Sequence, residues 1–459
     1  MNIIFLKVRC PEFMSSNAKS KYDLTEGRIL DKLLLVALPI IGTQLLLMSY
    51  NLIDMFLLGR VSSDAVASSG IAGMYVWMSE GFLLIGKMGA EIGVAQNLGR
   101  QDAARAESFA RNSICLALLV GLIYGATVVA FSKNLIGFFR VSEESVSAGA
   151  RTYLVIVGLA VPAVFVAGAI AGVFTGAGNS RAPFAINSLG LVLNVVLDVF
   201  FIFKLRMGVA GAAAATSISQ AVVCAVSVAA MKRKRDRPFE RFSFFEKPDA
   251  EVIIAILKWT APLALVNFLF TFFTMFISRL AAGFGAGAIA VCKVGSQIES
   301  ICWLTGEGIA TSVAAFVGQN YGAMKLERIK GGVKIALLSW CSWGAVVAVI
   351  LMTLGRPVFR FFLPDPSLTE MGASFLRILA LCEIFGCLEA ISFGSMRGLG
   401  RTIPQFVVSI ACNALRIPIA SFLAGVFGVN GVWMGIAITA SMRGFFAYIW
   451  FLRELKRLK

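Results

Sequence analysis

The stretch Phe184 to Phe203, FAINSLGLVLNVVLDVFFIF, is long and apolar enough to cross a bilayer, yet it carries Asn187, Asn194 and Asp198. At about 100° per residue, steps of seven and four bring these three side chains back to nearly the same face of a helix. An ionisable carboxylate at that depth is costly unless it meets a polar cavity or a partner, so the spacing marks a pore-lining polar stripe and a candidate functional site.

The apolar signal recurs along the chain, near 33–58, 67–98, 109–132, 152–174, 184–204, 209–231, 253–282, 286–318, 333–354, 373–396, 405–427 and 431–452. An all-α membrane protein with twelve transmembrane helices is expected. Composition agrees, with 58% apolar and only 15% charged residues against roughly 25% charged in soluble domains. The net charge of +16 is scattered through short loops, which argues against nucleic acid as a partner and for positively charged cytoplasmic loops. Arg100, Arg105 and Arg111, then Arg181, the run KRKRDRPFER, Lys325 with Arg328, and Arg397 with Arg401 all fall inside if both termini are cytoplasmic. The first 30 residues lack the apolar run of a signal peptide and read as a tail, with Met14 an alternative start. Nine cysteines without a CxxC and the absence of histidine exclude haem, His-ligated zinc and His-based acid–base chemistry, so no cofactor is expected.

The chain also repeats itself. Pro39 pairs with Pro262, Gln96 with Gln319, Asn97 with Asn320 and Gly99 with Gly322 at one constant offset, and Gly176 and Gly178 pair with Gly398 and Gly400 one residue closer. The hydrophilic stretch near the middle divides the repeats. The expected organisation is a tail at 1–32, an N-lobe of six spans at 33–231, a linker at 232–252, a C-lobe of six spans at 253–452 and a tail at 453–459. An even number of spans per half leaves the two pseudo-symmetric six-helix lobes in the same orientation, with substrate passing between them.

In the first span Asn51 and Asp54 share a helical face with Gln44, and in the sixth Thr216 lies one turn beyond Ala212. Two carboxylates, an amide oxygen and a hydroxyl are the hard oxygen ligands that Na⁺ prefers, and the same carboxylates in a low-dielectric site would carry H⁺. Lys87 and Glu91 stand one turn apart, placed to neutralise each other or to face a cavity. Gln44, Asn51, Asn187, Lys87 and Glu91 are the candidate cavity or substrate residues. Glu299, Glu307, Glu383 and Glu389, with Arg377 and Arg416, are spaced for internal ion pairs, the alternative being a charged cavity wall.

NLIDMFLLG at Asn51 to Gly59, VGQN at Val317 with its counterpart VAQN at Val94, the Gly–Gly–Pro turns, and NVVLD at Asn194 to Asp198 resemble the multidrug and toxic compound extrusion (MATE) transporters over nearly the whole chain. The combination of Asp54, Asn194, Asp198 and Thr216 is similar to the DNA-damage-inducible branch. That resemblance implies an N-lobe site for the coupling cation made by these four residues and the backbone carbonyl of Ala212. The seventh-span glutamate of the norfloxacin-exporter branch has no counterpart between Glu251 and Glu299. The implied function is a monomeric antiporter of the cell inner membrane that exports amphiphilic, cationic organic compounds against Na⁺ or H⁺. A flippase for lipid-linked oligosaccharides of the same wider superfamily is the alternative, and a membrane-embedded enzyme is disfavoured because no HExxH or nucleophile elbow is present.

Overall fold

A computed structural model describes residues 22–139, 143–232, 246–362 and 365–457, with residues 239, 242 and 243 of the central linker. The N-terminal half holds α1 (Ile29–Gly59), α2 (Ser63–Gly99), α3 (Ala103–Ala130), the short α4 (Ser132–Gly137), α5 (Glu144–Gly176), α6 (Arg181–Asp198) and α7 (Gly208–Lys232). The C-terminal half holds α8 (Ala250–Ala282), α9 (Ala286–Gly322), α10 (Leu326–Phe362), α11 (Pro366–Ala380), α12 (Glu383–Gly398), α13 (Ile403–Phe427) and α14 (Val429–Lys456). Helices are the way a chain this apolar satisfies its backbone groups in lipid.

Among the described residues, ten helices are long and apolar enough to cross a bilayer, and α11 with α12, bent by 46°, make an eleventh. The twelfth is α2, whose 37 residues have the length but whose Glu80, Lys87 and Glu91 lower its hydropathy. Two expected spans are therefore not simple rods. The tenth is broken between Ala380 and Glu383, and the fifth ends in a π-helical turn, Val199–Lys204, directly after Asp198.

The repeat read in the sequence is a repeat of backbone geometry. Gln101 and Met324, neither a glycine, occupy the left-handed region at matching turns, as do Gly178 and Gly400 (φ +85° and +71°). The same turns close with matching bonds, Asp102 N to Asn97 O and Lys325 N to Asn320 O at 2.9 Å, Asn179 N to Phe174 O and Arg401 N to Met396 O at 2.8 Å. Inside each lobe, Gly172 and Gly176 of α5 press on the carbonyls of Lys87 and Glu91 in α2, while Gly394 and Gly398 of α12 press on those of Ala310 and Ala314 in α9. A side chain at any of the four would overlap backbone, so glycine is required there.

The lobes meet at the end that carries the linker. Val252 and Ile256 of α8 pack on Phe109 of α3, whose ring stacks on Trp259, and Leu33, Val36 and Ala37 of α1 join a core with Ile309, Val313 and Phe316 of α9. Gly99 abuts the carbonyl of Gln319, and Gly322 that of Gln96. Each glutamine then reaches across, Gln96 Nε2 donating to Gly398 O at 2.8 Å and Gln319 Nε2 to Gly176 O at 2.9 Å. Tyr22 and Leu24 are buried in this closure. The Leu24 amide donates to Gln319 Oε1, and its carbonyl accepts from Asn320 and Arg328.

Candidate cation site and central cavity

Asp54 lies near the end of α1, Asn194 and Asp198 on the last turns of α6, and Thr216 on α7. The small residues of GAAAATSIS let α7 approach: Ala212 is fully buried against Leu58 and Ile202, and a Cβ on Gly211 would stand only 3.1 Å from Phe201 of the π turn. A π turn widens the helix and is a frequent mark of a functional site; here it redirects the chain immediately after Asp198.

These elements bring the four expected side chains together. The Asp54 and Asp198 carboxyl groups face each other, the Asn194 amide stands beside Asp198, and Thr216 Oγ1 donates to Asp54 Oδ2 at 3.5 Å. Asn194 and Asp198 are completely buried. Both Asp198 oxygens, Asp54 Oδ1 and both amide atoms of Asn194 are sealed from solvent without a hydrogen bond, and neither carboxyl has a Lys or Arg partner among the described residues. Unpaired buried carboxylates are among the costliest arrangements a lobe interior can hold, and a cluster of oxygen donors with unspent lone pairs suits a small cation or a proton. Ala212 lies in the second turn of α7, one turn before Thr216.

Two participants were not singled out by sequence. Tyr50, one turn before Asp54, points its buried hydroxyl toward Thr216 and Ser219, and Tyr153 of α5 approaches Asp54, Asp198 and Thr216. The helical spacing from Asp54 was the available signal for Tyr50; Tyr153 had none.

Between the lobes lies a cavity of about 1030 Å³. Gln44, Asn187 and Lys87 line it, whereas Asp54, Asn194, Asp198 and Thr216 do not. The single pore-lining stripe expected along the fifth span is thus corrected. Asn187 faces the cavity, while the following turns of α6 pass between α1 and α7 and turn Asn194 and Asp198 into the lobe interior. The Asn51 side chain lies outside the described residues.

Lys87 and Glu91 do not form the expected ion pair. Glu91 is 1% exposed with both carboxyl oxygens unbonded, and it faces Arg397 of α12 across the lobe boundary. Arg397 itself pairs with Glu307 at 2.7 Å. The matching C-lobe positions are Ala310 and Ala314, so packing of the helix crossing does not by itself demand charge at Lys87 and Glu91.

In the C-lobe Glu307 and Glu389 are ion-paired, but with arginines other than the expected Arg377 and Arg416: Glu307 pairs with Arg397 and Glu389 with Arg443, both at 2.7 Å. Arg377 is exposed instead. Because both members of the Glu389–Arg443 pair are largely buried, Glu389→Gln strands a guanidinium, a loss of about 3–5 kcal/mol for such pairs. Thermal unfolding of the purified variant is expected to move down markedly, with residual transport by the folded fraction. A variant as stable as the parent but inert in transport would assign Glu389 a direct role.

A two-lobed, all-helical membrane protein with a chamber between its lobes and a sealed acidic site in one of them is a transporter. The MatE family model matches residues 39–200 and again 262–422, once per lobe, and the chain belongs to that family of transporters, which are not enzymes. It is 27% identical to the probable multidrug resistance protein NorM of Thermotoga maritima over 92% of both chains, and 23% identical to the multidrug resistance protein PmpM of Pseudomonas aeruginosa over 89% of this chain and 88% of that one. Among solved structures, a MATE protein in complex with MaL6 superposes with a TM-score of 0.90 at 20% identity, covering 96% of this chain and 99% of that one. An outward-facing MATE family transporter of the MOP superfamily gives 0.88 at 20% identity with the same coverage.

Proposed function

We propose that the protein exports amphiphilic organic compounds, cationic ones among them, across the cell inner membrane in exchange for entering Na⁺ or H⁺. The observation that carries this reading is the Asp54–Asp198 pair, sealed in the N-lobe without a basic partner and apart from the chamber where substrate would sit. The relatives named as multidrug resistance proteins support the substrate class. A cation bound between the carboxyls changes the charge and packing where α1, α6 and α7 meet. Since α1 also packs on α9, that change biases how the lobes close on each other. A site that bound equally in both states would move nothing.

Reconstitution into liposomes tests the coupling. Efflux of a fluorescent cationic dye is expected under an imposed Na⁺ gradient or an imposed pH gradient and not in the absence of both; failure under each of the two gradients would overturn the antiport reading. Accumulation of lipid intermediates on depletion, the mark of a flippase, is not expected.

The loop charges support a cytoplasmic position for the linker end. In a cysteine-free background, Lys247→Cys is expected to resist a membrane-impermeant thiol reagent in intact cells and to react in inside-out vesicles. Reaction in intact cells would invert the topology.

A further inference from the structure

The C-lobe wall of the chamber holds more charge than its ion pairs consume. With Glu307 on Arg397 and Glu389 on Arg443, three groups are left over: Glu299 of α9, Glu383 of α12 and Arg416 of α13. None has an opposite charge within 4.0 Å among the described residues. Glu299 and Glu383 are close neighbours. The indoles of Trp340 and Trp343 on α10 line the same side of the chamber, where Gly344 packs on the Glu383 backbone.

Arg416 is 7% exposed, and its Nε donates to Thr439 Oγ1 at 3.0 Å. Thr439, fully buried, passes that bond on to the Gly435 carbonyl. The guanidinium is thereby fixed in orientation, its two terminal nitrogens have no hydrogen-bond partner among the described residues, and Arg416 lines the chamber. A rigid fork of free donors in a confined apolar space matches a planar oxyanion. Two carboxyls on a wall that also carries two indoles match an ammonium or iminium group. On the facing wall Glu80 and Lys87, two turns apart on α2, offset each other and leave this pattern unopposed.

We propose that this wall is a subsite for zwitterionic amphiphiles, with Arg416 holding a carboxylate and Glu299 with Glu383 holding the cationic end. The proposal rests on the export reading and narrows its substrate class. Flat apolar bodies bearing both charges fit best, and a compound with only one charge leaves either the fork or the carboxyls unanswered.

The test compares two dyes on one scaffold, rhodamine 110 with its free carboxylate and its methyl ester, by fluorescence anisotropy on the purified full chain without any ion gradient. Wild-type protein is expected to bind the free acid about tenfold more tightly, the usual consequence of one charge-assisted bidentate contact. Arg416→Gln should raise the Kd for the free acid by a similar factor and change the ester less than twofold, while Glu383→Gln weakens both. If Arg416→Gln does not yield monodisperse protein, Arg416→Lys, which keeps charge but loses the fork, should show an intermediate loss. Equal affinity of the wild-type protein for both dyes overturns the zwitterion subsite while leaving export intact. Binding of neither dye overturns the export reading and the subsite with it.

Discussion

Asp54→Asn and Asp198→Asn are each expected to yield a membrane-inserted, folded protein that no longer drives efflux from an ion gradient. The substitution keeps the shape of the side chain and most of its hydrogen-bonding capacity, and a neutral amide is cheaper than a carboxylate in a lobe interior, so the fold has no reason to fail. Folding is in fact relieved of a burden, because both Asp198 oxygens and one of Asp54 are buried without a donor. Coupling has no substitute. One carboxylate about 4 Å from a monovalent cation contributes on the order of 4 kcal/mol at an effective dielectric near 20, close to a thousandfold in affinity. A proton carrier loses its titrating group outright. Asn194→Ala and Thr216→Ala remove a single neutral ligand that water replaces, and an intermediate loss is expected. The check is gradient-driven dye efflux from liposomes alongside thermal unfolding. Efflux at the wild-type rate by the doubly neutralised protein would remove this site from the mechanism.

The same residues mark where sequence reading succeeds and where it stops. Membrane spans, the repeat and the polar positions on α1 and α6 follow from composition and helical period, which are local properties. Which polar residues share a pocket is not local. Asn187 and Asp198 occupy one helical face, yet one lines the chamber and the other is completely buried in the lobe, facing Asp54 of α1. The π turn after Asp198 leaves no periodic trace, and Tyr153 arrives from a helix distant in sequence. Glu91 is instructive in another way. Its one-turn spacing to Lys87 suggested a local pair, but it faces Arg397 in the other repeat as well. Aligning the repeats, which sets Ala310 and Ala314 against Lys87 and Glu91, would have shown that the helix crossing itself tolerates alanine.

The closure at the linker end should respond as strongly as the acidic site, and to a change of one methyl group. A Cβ on Gly99 would overlap the carbonyl of Gln319, and one on Gly322 that of Gln96, each in the opposite lobe. Neither obstacle is a side chain that can rotate away. Relief requires α2 and α9 to part, which stretches the Gln96–Gly398 and Gln319–Gly176 bonds and unseats Leu24. Overpacking of this kind costs about 1–3 kcal/mol per site, and the two access states of a transporter differ by only a few, so one substitution shifts their ratio about tenfold and both together reverse it. Gly99→Ala with Gly322→Ala is therefore expected to hold the linker end open and abolish cycling, with the fold within each lobe preserved. Thr311→Cys, on the chamber wall, reports the change. In a cysteine-free background and inside-out vesicles it should react with an impermeant thiol reagent only when the two alanines are present. An unreactive Thr311→Cys together with normal efflux in the double variant would show that the lobes seal elsewhere.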